Sequence, residues 1–288
     1  MIWALAVAVG CGGGGSDDTD VSSDVDLSDD PAPVDGGVDA AAVDGLHIAF
    51  DYRYDDAGFF TAAARATLEA AARAWAAQLV DDFEMIPAGT SIRTRDPEAP
   101  DAEGVSFASD VAIDDLLVFV GCSNIDGPGG VTATSNHAAA IASVADPQLQ
   151  ARLQLRYEGA DFQPWTGWIS FDCDEAWYFD DDVSTAGDLP GSDRDFWTVA
   201  MHELEHVLGF GTAIAHFDLV SGGSFTGPAA VAEHGGPVPM TGTGTHFADG
   251  VTSDGVAPLM DQSRPNGVRF APTSLDVAAL ADLGYQRR

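Results

Sequence analysis

The chain has 288 residues, of which 46 are acidic and 12 basic, and all 12 basic residues are arginine. A formal net charge of −34 argues against nucleic acid as a partner and against docking on bare anionic lipid, because like charges repel. Hydrophobic residues make up 45%, which allows a sizeable core in whatever part folds.

The chain opens with "MIWALAVAVG", an apolar, uncharged run too short to cross a bilayer as a helix. It reads as a clipped export signal. Cys11 follows Ala8-Val9-Gly10, which resembles a bacterial lipoprotein cleavage box, although Ala8 stands where such boxes usually carry leucine. The resemblance implies lipidation at Cys11 as the only attachment to a membrane. A plain signal peptide with an incidental cysteine is the alternative. Residues 12–45 are rich in Gly, Ser, Asp and Pro, with ten aspartates and neither a basic nor an aromatic residue. Such a stretch repels itself and lacks the apolar surface to fold, so it reads as an acidic linker. Together these features predict an extracytoplasmic protein, displayed at the cell envelope or secreted. Two more cysteines, Cys122 and Cys173, lie in the body of the chain, and an oxidising compartment favours a disulfide between them.

With no repeat and no further low-complexity break, residues 46–288 read as one domain, and a monomer is expected. The stretch 46–52 alternates apolar and polar residues and predicts a strand. The Ala-rich stretch 58–83 places Phe60, Ala64, Leu68, Ala71, Trp75 and Leu79 at helical spacing, which predicts a long amphipathic helix. Residues 114–122 form a short apolar run, as in a buried central strand, and 167–174 alternate again. Residues 195–211 predict a further helix. The Gly-, Thr- and Pro-rich 211–258 predicts loops. Residues 271–286 predict a closing helix capped by Thr273 or Ser274 and stopped at Gly284. This order describes an α+β fold divided by a cleft.

The chemistry is concentrated in "HELEHVLGFG" at 202–211. His202 and His206, four apart on a helix, present their rings on one face, where two ring nitrogens can hold one ion. Glu203 stands beside the first of them and is free to serve as base and acid. A catalytic zinc site normally has three protein ligands, and the third is not obvious. The position that would complete H-E-x-x-H-x-x-G-x-x-H holds Thr212. The candidates after residue 206 are His246, His216, Glu233, His234 and aspartates such as Asp218.

"TGTGTHFADGVTSDGVAPLMDQ" at 241–262 bears on that choice. Its "APLMDQ" looks like the tight methionine turn found beneath the zinc in metzincin metallopeptidases, and a helical segment follows. The chain resembles the leishmanolysin-like branch of that group, in which an insertion separates the motif glycine from the third histidine. The resemblance implies a metzincin-like fold: a twisted mixed sheet with long helices, the active-site helix under a cleft, and a loop-rich C-terminal part ending in a helix. It implies Zn2+ held by His202, His206 and His246, Glu203 as the catalytic acid and base, and Met260 as the Met-turn residue. It implies an endopeptidase acting on protein or peptide substrates laid along an edge strand, for which "GWISFD" is the candidate. A catalytically idle surface binding module and a zinc hydrolase of another bond are the competing readings. One departure is Glu205, where relatives carry a small residue. The Asp-rich stretch 178–195 suits Ca2+, or else is a solvated acidic loop.

Overall fold

The computed structural model describes residues 45–138, 144, 146–159, 161–180 and 182–288. The expectations placed on Cys11 and on the 12–45 linker therefore lie outside the described residues, apart from Gly45 at the linker's end. The first half of the chain builds a sheet. It runs β1 (Ile48–Asp51), α1 (Ala62–Ala76), β2 (Ser91–Thr94), β3 (Val105–Ala108), β4 (Leu116–Ser123), β5 (Ala133–His137), α2 (Pro147–Leu155) and β6 (Thr166–Asp172). Then come β7 (Trp177–Tyr178), β8 (Arg194–Asp195) and α3 (Phe196–Val207). The remainder is α4 (Ile214–Asp218), β9 (Val220–Ser221), β10 (Ser224–Phe225), α5 (Pro228–His234), β11 (Val238–Pro239) and α6 (Ser274–Asp282). This is an α+β arrangement around a mixed sheet.

That sheet has the order β1-β4-β6-β5. β1, β4 and β6 run parallel, and β5 closes the edge antiparallel to β6, with Ser135 opposite Ile169. Parallel strands are covered on both faces, which explains the unbroken apolar run of β4. β6 is likewise buried along its whole length, so its alternating sequence does not mark a solvent face. "GWISFD" is therefore an interior strand with partners on both sides. The edge strands are β1 and β5, and the polar sequence ATSNH of β5 carries no strand periodicity.

α1 covers one face of the sheet through Ala64, Leu68, Ala71 and Trp75, and it packs on α3. Its small side chains let the two helices approach, and Trp75 Nε1 donates to the carbonyl of Met201, 2.9 Å away. The helix is shorter than the expected 58–83. Thr61 caps its start by accepting from Ala64 N–H. Beyond its end, Val80 N–H donates to the carbonyl of Gln286, and Leu79 pairs with Arg287. Pairing with the C-terminal segment thus replaces further helical turns. Cys122, at the end of β4, is disulfide-bonded to Cys173, just past β6.

The loop expectation for 211–258 is met only in part. Short elements occupy much of it, and the run around Glu233 is helical, from Pro228, a residue suited to a first helical turn, to His234. α6 begins as expected at Thr273, in a capping box with Asp276. Among the described residues, no helix is long and apolar enough to cross a membrane.

Candidate metal centre

α3 supplies two of the three converging imidazoles. Asp195 caps the helix by accepting from Thr198 N–H at 3.3 Å and from its hydroxyl at 2.6 Å. The helix is buried throughout, so His202 and His206 project into the protein rather than into water. His246 arrives from the loop before the 258–261 turn and is also buried. Its Nε2 lies 3.2 Å from Nε2 of His202 and 3.1 Å from Nε2 of His206. Four donors arranged tetrahedrally around zinc at ~2.0–2.1 Å sit about 3.3 Å apart, so these separations suit a shared ion.

Tautomers make the case independently of distance. His202 Nδ1 is 2.9 Å from the carbonyl of Leu259, and His206 Nδ1 is 2.7 Å from the carbonyl of Phe210. A carbonyl only accepts, so both Nδ1 atoms carry the proton and both Nε2 atoms present lone pairs inward. His246 Nε2 has at most one proton to offer the two. A cation at the centre satisfies all three at once. Burial, foremost, holds the imidazoles neutral. It lowers the pKa of His206 to about 4 and those of His202 and His246 well below the usual histidine value. Neutral imidazole is the ligating form. Among the described residues, this trio is the one His, Cys, Asp or Glu cluster able to hold a metal ion.

Arg264 complicates the His202 tautomer. Its Nη2 lies 2.7 Å from His202 Nδ1 and 2.6 Å from the carbonyl of Asp261. A guanidinium only donates, so a bond to Nδ1 would force the proton onto Nε2. The Leu259 contact favours Nδ1–H, with the Asp261 carbonyl as the acceptor for Arg264.

The other candidates fall elsewhere. His216 is fully buried but donates from Nε2 to the carbonyl of Gly244 at 2.8 Å, and its ring stacks on Phe225. Glu233 and Asp218 are exposed, and His234 stands beside Gly236. Met260 lies in a turn closed by Asp261 N–H donating to the carbonyl of Pro258, and it is fully buried.

Glu203 points towards β5. Ser135 Oγ donates to its Oε2 at 2.7 Å, and burial raises its carboxyl to about 7. Glu205 faces inward and is completely buried, with neither carboxylate oxygen hydrogen-bonded. Burial, reinforced by Asp276, pushes its pKa well above the ordinary range, which favours the neutral acid. A surface hollow of about 610 Å³ lies nearby, lined by Ser253, Val256, Phe270 and Ser274 among others, and none of the three histidines lines it.

Asp276 is the residue that sequence reasoning missed. Its carboxylate caps α6, and it also accepts the backbone N–H groups of Leu259 and Met260. The Thr273-to-Asp276 capping pattern was legible, but the second use of that carboxylate was not. In the Asp-rich stretch, Arg269 binds Asp195 through two nitrogens, at 2.9 and 2.7 Å, and forms an ion pair with Asp180 at 2.7 Å. An internal guanidinium thus balances two of the carboxylates considered for calcium.

No protein-family model and no curated protein matches this chain.

Proposed function

We propose that the protein is a metzincin-like zinc endopeptidase, exported and tethered or released at the cell envelope through its N-terminal segment. The observation that supports this most is the set of lone pairs converging from His202, His206 and His246, with Glu203 next to the first ligand in sequence. Zinc held there would polarise a scissile carbonyl and bring the pKa of a water towards ~7.

The chain's own residues supply the remaining chemistry. Glu203, raised to about 7, can take a proton from water at neutral pH and return it to the leaving amine. Ser135 holds that carboxylate by its Oε2. The same serine belongs to the edge strand β5, so a peptide pairing there would lie beside Glu203. The buried surroundings exclude bulk water and strengthen each of these interactions.

The test is hydrolysis of a quenched-fluorescence peptide library by the zinc-loaded protein, with and without a chelator. Cleavage should disappear with the chelator and fall about 100-fold or more in Glu203→Gln while zinc remains bound. Cleavage that survives Glu203→Gln would overturn the mechanism. Zinc binding without cleavage of any peptide would favour an idle binding module.

A further inference from the structure

The three imidazoles are oriented from behind in two different ways. His202 and His206 each point Nδ1 at a backbone carbonyl, whose place is set by the fold. His246 instead points Nδ1 at a side chain, the hydroxyl of Thr245, at 3.1 Å. The contacts continue outward. Thr245 Oγ1 lies 2.8 Å from Thr243 Oγ1, which lies 3.1 Å from Thr241 Oγ1. Thr245 is buried, Thr243 is exposed and Thr241 is half-buried, so the row of hydroxyls runs from the ligand to the surface.

We propose that the threonines of "TGTGT" form a polarised hydroxyl relay that positions His246 and sets how tightly the site holds its metal. The inference rests on the metal reading above. With His246 Nε2 turned to the ion, its proton sits on Nδ1 and is donated to Thr245. Thr245 then donates to Thr243, and Thr243 to Thr241, so every hydrogen in the row points away from the site. A hydroxyl that donates onward is a better acceptor, so each outer link strengthens the bond to His246. A lone hydroxyl would be a weaker rear partner than the carbonyls behind the other two ligands, and the row offsets that deficit.

Local backbone geometry builds the row. Hydroxyls two residues apart on an extended chain would not come within 2.8 Å of each other, because alternate residues are nearly 7 Å apart. Gly244 has φ of +72°, a left-handed conformation that bends the chain between Thr243 and Thr245. Thr241 N–H closes the loop on the carbonyl of His246 at 2.9 Å, and His216 anchors it from outside through Gly244.

Zinc affinity should be measured by competition with a chromogenic chelator, alongside the d–d absorption of the Co2+-loaded protein. The set is wild type, Thr245→Val, Thr245→Ser and Thr243→Val. Valine keeps the shape of threonine without the hydroxyl, and serine keeps the hydroxyl. Thr245→Val should weaken zinc binding about 10-fold or more and alter the Co2+ spectrum, as removing a rear partner of a ligating histidine does. Thr245→Ser should stay within about twofold of wild type, and Thr243→Val should fall between them, at about two- to threefold. Because Thr243 is exposed and does not touch His246, a purely structural role for Thr245 would leave Thr243→Val unchanged. Wild-type affinity and spectrum in Thr245→Val, or equal losses in Thr245→Val and Thr245→Ser, would overturn the relay while leaving the metal site standing. A wild-type protein that binds no zinc would sink the metal reading and the relay with it.

Discussion

The carboxylate of Asp276 accepts the backbone N–H of Leu259 at 2.9 Å, and the carbonyl of that same Leu259 takes Nδ1–H of His202 at 2.9 Å. One residue of the 258–261 turn therefore links the start of the last helix to the first imidazole of the candidate metal centre. Asp276→Ala leaves the Leu259 and Met260 N–H groups buried without acceptors, at a cost of about 2–4 kcal/mol. Asp276→Asn keeps one acceptor and should lose less. Urea denaturation of the zinc-free protein measures the stability, and chelator competition should show weaker zinc binding in step with it. Stability and affinity unchanged in Asp276→Ala would show that the turn holds itself.

Gly211 has φ of +71°, and a Cβ there would lie 2.4 Å from the carbonyl oxygen of Thr245. Gly211→Ala should cost about 1–3 kcal/mol and displace the segment that carries His246, weakening zinc binding. Gly236→Ala is the control, because a Cβ at Gly236 meets open space. Equal zinc affinity in the two variants would separate the Gly211 contact from the site.

His216 provides a pH handle outside the histidine trio. Burial lowers its pKa to about 4, against an ordinary value of 6.5, and its bond to the Gly244 carbonyl only partly opposes this. Between those values the unfolded chain binds a proton at this residue and the folded chain does not. The stability contributed is therefore full above pH 6.5 and is lost as pH falls towards 4. His216→Phe keeps an aromatic ring beside Phe225 and removes the titration. The slope of stability against pH in that window should become shallower by up to about one proton. An unchanged slope would mean that His216 is charged within the fold.

The Cys122–Cys173 bond closes a loop of 51 residues and ties the ends of two adjacent parallel strands together. In the chain-entropy account, removing it costs about 4 kcal/mol. Cys122→Ala/Cys173→Ala should lower the urea midpoint by the corresponding amount, and reductant should lower the wild type but not the double variant. A midpoint insensitive to both would place the stabilisation elsewhere.

The elements read correctly from sequence are those whose signal is local. The unbroken apolar run of β4, the His202 and His206 spacing on α3 and the Thr273 cap of α6 each follow from periodicity or capping within one element. Misreadings occur where a distant segment intervenes. α1 stops early because Val80 bonds to Gln286. β5 was invisible because Ala-Thr-Ser-Asn-His becomes a strand only by pairing with β6. The inward orientation of Glu205, which its sequence leaves open, follows from the enclosure of α3 on all sides.

The order of residues is enough to specify the chemistry on offer: two imidazoles one turn apart, a carboxylate beside them, and a short menu for a third ligand. Only packing brought His246, and none of the other candidates, against His202 and His206, enclosed β6 between β4 and β5, and gave Asp276 its second task. The division has a physical cause. Helical spacing is set by bonds within a few residues, whereas the meeting of His206 and His246 depends on the path of a 40-residue excursion, decided by packing against parts of the chain distant in sequence.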